Sequence, residues 1–113
     1  MMSSEISETS AQPPVASVTA PLLQQQLNMP DPPYLIDVRE PWEVDIYNIG
    51  GVCIPLSQIM QRVSEIPANI PVVVYCEKGI RSSIAIQKLS DKFGFTNLIN
   101  LKDGMQSWKK NFQ

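Results

Sequence analysis

Residues 72–83 read VVVYCEKGIRSS, and three structural signals follow one another in this stretch. The β-branched run at 72–74 predicts a buried strand that ends at Cys76. A short loop with one glycine and two cations comes next. From Ser82 and Ser83, which are good helix-start residues, apolar and polar side chains recur with helical spacing. The stretch therefore predicts a strand, a loop and a helix, with a thiol at the end of the strand.

The position of Cys76 favours the ionised form of its thiol. Backbone N–H groups at a helix N-terminus lack intrahelical partners and carry the positive end of the helix dipole. Lys78 and Arg81 add positive charge, and such surroundings are typical of reactive cysteines. The alternative is a structural core cysteine, because free cysteine is often buried. A core cysteine does not require a glycine in the loop that follows it. A loop that points several N–H groups at one anion does require one, because glycine can adopt unusual dihedral angles, and Gly79 occupies such a position. We therefore expect Cys76 to be a thiolate nucleophile.

Four residues separate Cys76 from Arg81, and this spacing distinguishes two chemistries. Tyrosine-phosphatase-like loops place five residues between cysteine and arginine and hold a phosphate group. A smaller ring suits a single sulfur atom carried on the cysteine. The pattern Cys-x-x-Gly-x-Arg, formed here by Cys76, Gly79 and Arg81, resembles the active-site loop of the rhodanese (sulfurtransferase) family.

A second pattern follows the apolar run at 34–38, which predicts a buried parallel strand. Asp37, Arg39 and Glu43 match the Asp-x-Arg-x-x-x-Glu signature of rhodaneses. A solvated loop with an internal salt bridge would explain the same residues, since structural ion pairs are common. The resemblance implies that this segment supports the catalytic loop from a neighbouring strand. We therefore expect Asp37 and Arg39 to support the loop without taking part in the chemistry.

The resemblance implies sulfur transfer through a persulfide on Cys76. The expected substrates are a small donor, thiosulfate or a persulfide, and a thiol or cyanide acceptor, with double-displacement kinetics and no metal or organic cofactor. A protein that donates or accepts sulfur is a version of the same hypothesis. Other classes stay open: a non-catalytic rhodanese-like binding module, and a cysteine-based phosphatase or arsenate reductase. Backbone N–H groups of the loop would stabilise the terminal sulfur. The loop residues expected to hold the persulfide are Glu77, Lys78, Gly79, Ile80, Arg81 and Ser82.

Composition limits the alternatives further. The 113 residues, 43% of them hydrophobic, are expected to form one domain at 16–113 behind a flexible leader at 1–15. A net charge of −2 suggests neither nucleic acid nor an anionic membrane as a partner. No apolar run reaches transmembrane length. Two cysteines do not make a disulfide scaffold, so we expect a cytoplasmic protein with reduced thiols.

Short apolar strands alternate with helices, which predicts an α/β fold with a central parallel sheet of about five short strands and helices on both faces. The resemblance implies that this fold is of the rhodanese type. Thr19 is predicted to cap the first helix, and a helix is predicted over 56–66 because apolar residues recur there at three- and four-residue intervals. Cys53 is expected to be a small core residue. The alternative role, a resolving thiol that pairs with Cys76, is disfavoured because the family's strand order separates the two strands.

Overall fold

The computed structural model describes residues 14–112, in which short strands alternate with helices. The predicted leader lies almost wholly in residues 1–13, outside the described residues, so it stays a prediction. Within the described part, the five strands and four α-helices are, in chain order, β1 (Ser17–Val18), α1 (Ala20–Leu27), β2 (Tyr34–Asp37), α2 (Pro41–Ile46), β3 (Val52–Cys53), β4 (Val72–Tyr75), α3 (Ile80–Phe93), β5 (Leu98–Leu101) and α4 (Gly104–Phe112).

All five strands join one parallel sheet in the order β1-β5-β4-β2-β3. This confirms the predicted α/β class. Strands β2 and β4 are neighbours with Asp37 opposite Tyr75. Since the carboxyl ends of parallel strands lie at one edge of a sheet, the residues after β2 and β4 meet there. Strand β1, only two residues long, has no alternation that the sequence could reveal.

The side chains of β4 alternate between two buried clusters, one on each face of the sheet. Val72 and Val74 pack with α3 and the chain after β3, whereas Val73 and Tyr75 pack with α1 and α4. Helices therefore cover both faces, as predicted. Complete burial of one such side chain contributes about 1.5–3 kcal/mol, so the sheet that carries the loop after β4 is firmly held.

The prediction of an α-helix over 56–66 is wrong. Two 3-10 turns, Leu56–Gln58 and Val63–Glu65, occupy this segment. The backbone N–H of Leu56 donates to Val38 O, just after β2, at 3.0 Å, so the sheet anchors the start of the segment. Residues three apart share a face in a 3-10 turn as well, and Ile59 and Ile66 are buried without a regular α-helix.

Helix α1 begins at its predicted cap, and buried side chains hold α4 against the sheet. The Thr19 hydroxyl accepts the N–H of Leu22 at 3.4 Å, which confirms it as the cap of α1. Met105 and Trp108 of α4 are buried, and the rings of Trp108 and Phe112 pack with centroids 4.7 Å apart. Across residues 14–112, no helix combines the length and the apolar character that a membrane crossing requires.

Candidate active site

Cys76 directly follows β4, and its sulfur faces the N-terminus of α3. The backbone N–H groups of Gly79 and Ser82 donate to Cys76 Sγ at 3.1 and 3.4 Å. Gly79 caps the helix in a left-handed conformation, φ 88°, so α3 starts at Ile80 and not at the serines that the sequence suggested. This earlier start matters because it aims the unpaired N–H groups of the first turn at the sulfur. Such donors favour a negatively charged sulfur.

Helix α4 holds the loop from behind. Its N–H groups at Met105 and Gln106 donate to the carbonyl oxygens of Cys76 and Glu77, both at 2.9 Å. Gly104 permits this approach, because a Cβ there would overlap Cys76 O and lie 2.7 Å from Glu77 C. These two carbonyls thus point at α4 and away from the sulfur, which meets backbone N–H groups.

A buried hydrogen-bonded group lies under the loop and includes a residue that the sequence pattern did not reveal, Asn100 of β5. Ser82 Oγ donates to Asn100 Oδ1 at 2.5 Å and lies 3.3 Å from Cys76 Sγ. Asn100 Nδ2 donates to Gly79 O at 3.2 Å, so the amide ties the loop to β5. The available signal was an amide side chain inside an otherwise apolar strand, since a buried polar group needs partners.

Arg81 does not reach into solvent as a free cation. Its guanidinium donates to both carboxylate oxygens of Glu43, at 2.7 and 2.9 Å. The two hydrogen bonds from Arg81 hold the pKa of Glu43 at about 2, although partial burial opposes this shift. The same contact raises the pKa of Arg81. In the sequence, Glu43 is marked only as the last residue of the Asp-x-Arg-x-x-x-Glu signature. Its partner, Arg81, lies 38 residues further along the chain.

Asp37 and Arg39 form a buried ion pair beside the loop. Arg39 Nε and Nη2 lie 3.0 and 2.8 Å from the Asp37 carboxylate, and Nη2 also donates to Tyr47 O at 2.7 Å. Arg39 Nη1 then lies 3.6 Å from the carboxylate of Glu77, which also contacts Lys109 at 3.5 Å. Glu77 is therefore paired with two cations. Neither Asp37 nor Arg39 contacts Cys76 Sγ within hydrogen-bond distance.

These residues surround an open depression of about 330 Å³, which is lined by Glu43, Cys76, Glu77, Lys78, Ile80 and Arg81. Lys78 and Ile80 are exposed at its rim, while only 1% of Cys76 is exposed. A larger cleft of about 460 Å³ includes Met29, Pro33 and Pro71, near the amino ends of β2 and β4. Its lining contains no cysteine, so the smaller depression is the better candidate for nucleophilic chemistry.

Cys53 ends β3 in different surroundings. Its sulfur lies 3.6 Å from Arg39 O, to which the thiol donates, and burial raises its pKa, as does the nearby charge of Asp37. Strand β2 lies between β3 and β4, and both cysteines are free. The strand order thus agrees with the prediction that Cys53 and Cys76 do not pair. Within residues 14–112, no cluster of three or more histidine, cysteine or carboxylate side chains could hold a metal ion.

Comparison with known proteins agrees with this geometry. A family model described as "Rhodanese-like domain" matches residues 19–111. A Bacillus subtilis relative named uncharacterized protein YqhL is 48% identical over 75 residues, which cover 66% of this chain. The chain covers only 59% of that relative. A protein from Allochromatium vinosum named sulfurtransferase is 32% identical over 97 residues, which cover 85% of this chain and 90% of the relative.

A solved structure adds a match in three dimensions. The crystal structure of a rhodanese-related protein from Thermoplasma volcanium superposes with a TM-score of 0.75 at 26% identity, covering 86% of this chain and 93% of the other. The α/β fold with its parallel sheet agrees with the family match. The chain therefore belongs to the rhodanese-like domain family.

Proposed function

We propose that the chain is a sulfurtransferase that carries a sulfur atom on Cys76 as a persulfide. One observation carries the proposal: two backbone N–H groups, from Gly79 and Ser82, converge on Cys76 Sγ. Directed N–H donors stabilise an anion at a fixed position without supplying a proton. Family membership supports the proposal, as does the printed name of the Allochromatium relative.

The first half-reaction loads the sulfur. The Cys76 thiolate attacks the outer sulfur of a donor such as thiosulfate, and a new S–S bond forms. The bond between that sulfur and the sulfonyl sulfur breaks, and its electron pair leaves with sulfite. The product is a Cys76 persulfide anion. Its terminal sulfur would occupy the depression beyond Cys76 Sγ, beside the free N–H groups of the loop.

The second half-reaction transfers the sulfur from Cys76 to an acceptor. A thiolate or cyanide attacks the terminal sulfur, the S–S bond breaks, and its electron pair returns to Cys76 as a thiolate. Neither step requires a general base once Cys76 is ionised. The absence of histidine from the sequence is thus compatible with this reaction.

Phosphate ester hydrolysis is less compatible with the site. A phosphatase of this kind needs its loop arginine to bind phosphate oxygens, whereas both terminal nitrogens of Arg81 are bonded to Glu43. The ring from Cys76 to Arg81 is also one residue shorter than in tyrosine phosphatases. Sulfur transfer needs only the N–H groups that already face the thiol.

The test is to incubate the protein with thiosulfate or a small persulfide and to record its intact mass and its production of thiocyanate from cyanide. We expect a gain of roughly 32 Da, one sulfur atom. Cys76→Ala should lose both the mass gain and turnover. Cys53→Ala is the matched control, since it removes the other thiol and should retain both.

Two results would contradict the proposal. The first is turnover that survives Cys76→Ala. The second is the absence of both adduct and turnover with every donor, provided that circular dichroism shows a folded protein. The second result would favour a binding module that does not use its thiol. Hydrolysis of an aryl phosphate at a rate comparable to sulfur transfer would instead favour the phosphatase.

A further inference from the structure

The cation that the active-site loop places in the depression, Arg81, is already paired. The lining includes Lys78, Arg81, Glu43 and Glu77, and Glu43 forms an ion pair with Arg81, while Lys78 is exposed at the rim. A dianion such as thiosulfate gains little from Arg81, because the carboxylate of Glu43 offsets its attraction within a few ångströms. Arg81 alone would suggest a strongly anionic substrate, but its pairing with Glu43 argues against such a preference.

The carboxylate of Glu43 neutralises the charge of Arg81. The pair is bidentate, with N–O distances of 2.7 and 2.9 Å, and only 14% of the Glu43 side chain is exposed. Planar guanidinium and carboxylate groups match in this arrangement, which is stronger than a single contact between flexible side chains. The pKa of Glu43, held at about 2 by Arg81, keeps the carboxylate ionised at every pH used for an assay. A substrate that binds Arg81 must therefore share its guanidinium with an ionised carboxylate.

Apolar side chains border the same place. Ile80, at the rim of the depression, is 63% exposed. A second depression shares Glu43 and Glu77 with the first, and includes Trp42, 64% exposed, and Ile46, 74% exposed. Large apolar side chains left in water next to a reactive centre favour an organic group over an inorganic ion.

We propose that Glu43 determines donor specificity by neutralising Arg81, so that the site prefers organic sulfane-sulfur donors with at most one negative charge over dianionic thiosulfate. The inference rests on the proposed function and names the substrate class of that site. Glu43 acts through Arg81 and is a positioning residue, because it does not contact Cys76.

Methanethiosulfonate is a suitable probe because it differs from thiosulfate by one methyl group in place of one charged oxygen. The Cys76 thiolate attacks its outer sulfur, and the bond to the sulfonyl sulfur breaks. The electron pair of that bond leaves with methanesulfinate. The persulfide carries the same charge as the attacking thiolate. Sulfite leaves in the parallel reaction with thiosulfate. The two donors thus load the same sulfur and differ in charge and in the apolar group.

The experiment compares kcat/KM for the two donors in wild type and Glu43→Gln, with cyanide as the acceptor. The wild type should prefer methanethiosulfonate. In Glu43→Gln, kcat/KM for thiosulfate should rise about tenfold, with a smaller rise for the monoanion, because one unit of negative charge near the donor is lost. Asp45→Asn removes the same charge from an exposed position of the same helix and should leave the donor ratio unchanged within about twofold.

A wild-type measurement covers the case in which Glu43→Gln does not fold. We expect kcat/KM for thiosulfate to change less than about twofold between low and high salt, because Glu43 already offsets the charge of Arg81 and an exposed lysine contributes little. A steep fall with salt, or an unchanged donor ratio in folded Glu43→Gln, would overturn the inference. If neither donor adds sulfur to Cys76, the proposed function itself has failed, and the two failures are thereby distinguished.

Discussion

Cys53 and Cys76 lie at the carboxyl ends of parallel strands in the same sheet, yet the two thiols meet opposite hydrogen-bonding groups. Cys53 donates its proton to a backbone carbonyl, Arg39 O, whereas Cys76 accepts backbone N–H groups from Gly79 and Ser82. A carbonyl favours the protonated thiol, and N–H donors favour the thiolate.

The difference originates in the segment after each strand. Beyond β4 the chain turns through Gly79 in a left-handed conformation and enters α3. Beyond β3 it passes Pro55 into a 3-10 turn, and the Cys53 sulfur lies beside a backbone carbonyl, Arg39 O. Sheet position alone therefore does not determine which hydrogen-bonding groups a thiol meets. The segment that follows the strand determines them.

The largest expected effect comes from Gly104, which lets α4 approach the loop that holds Cys76. Gly104→Ala should destabilise the protein by about 3 kcal/mol, since the added methyl overlaps the backbone of Cys76 and Glu77. Gly94→Ala is the control: it shares the positive φ but has open space, and should cost about 1 kcal/mol. Urea unfolding measures both. Equal costs would mean that α4 does not constrain the loop.

Alkylation tests the contrast between the two thiols directly. At neutral pH iodoacetamide should modify Cys76 about tenfold faster than Cys53, although Cys76 is the more buried, because only the thiolate reacts. The pKa of Cys53 is raised by burial, so its rate should climb about tenfold per pH unit to beyond pH 9. Peptide mass spectrometry gives both rates. Faster modification of Cys53 at neutral pH would remove the contrast.

Ser82 is expected to have an intermediate effect. Ser82→Ala leaves Asn100 Oδ1 without its donor and removes the hydroxyl beside Cys76, which should cost about 1–2 kcal/mol of stability and reduce turnover several-fold. The neighbouring Ser83→Ala is the matched control and should change each by less than half as much. Unfolding curves and thiocyanate assays check this. Equal effects of the two substitutions would rule out a special role for the Ser82 hydroxyl.

Cys53 should show the smallest effect. Cys53→Ser keeps a donor for Arg39 O and should change kcat/KM for either donor less than about twofold, with a stability loss of about 1 kcal/mol. Steady-state kinetics suffice. A loss of activity comparable to that of Cys76→Ala would show that the two thiols act together.

Much of this arrangement could be predicted from local sequence. The run before Cys76, the glycine and the following helical spacing lie within one stretch, so the strand, loop and helix were recoverable. The family signature also indicated that Asp37 and Arg39 lie near the loop. The α-helix expected over 56–66 did not form, because three-residue spacing cannot distinguish an α-helix from 3-10 turns once a backbone contact with the end of β2 anchors the chain.

The rest depended on long-range contacts. Nothing near Arg81 in the sequence indicates that Glu43 neutralises it, and nothing near Glu77 indicates Arg39 and Lys109. The expectation that Lys78 and Arg81 add positive charge beside Cys76 counted charges along the chain and not in space. Asn100 escaped notice because a single amide barely changes an apolar strand pattern. Charge balance at a site is thus a property of the fold.

The position of β2 between β3 and β4 has a consequence for the lifetime of stored sulfur. Two strand spacings place Cys53 roughly 10 Å from Cys76, and the sequence contains no third cysteine. A sulfur atom loaded on Cys76 could not be expelled by an internal disulfide, which needs much closer thiols. The persulfide would persist until an acceptor arrived from solution, so the acceptor concentration would set the rate at which the sulfur is released. The fold would then serve as a reservoir as well as a catalyst.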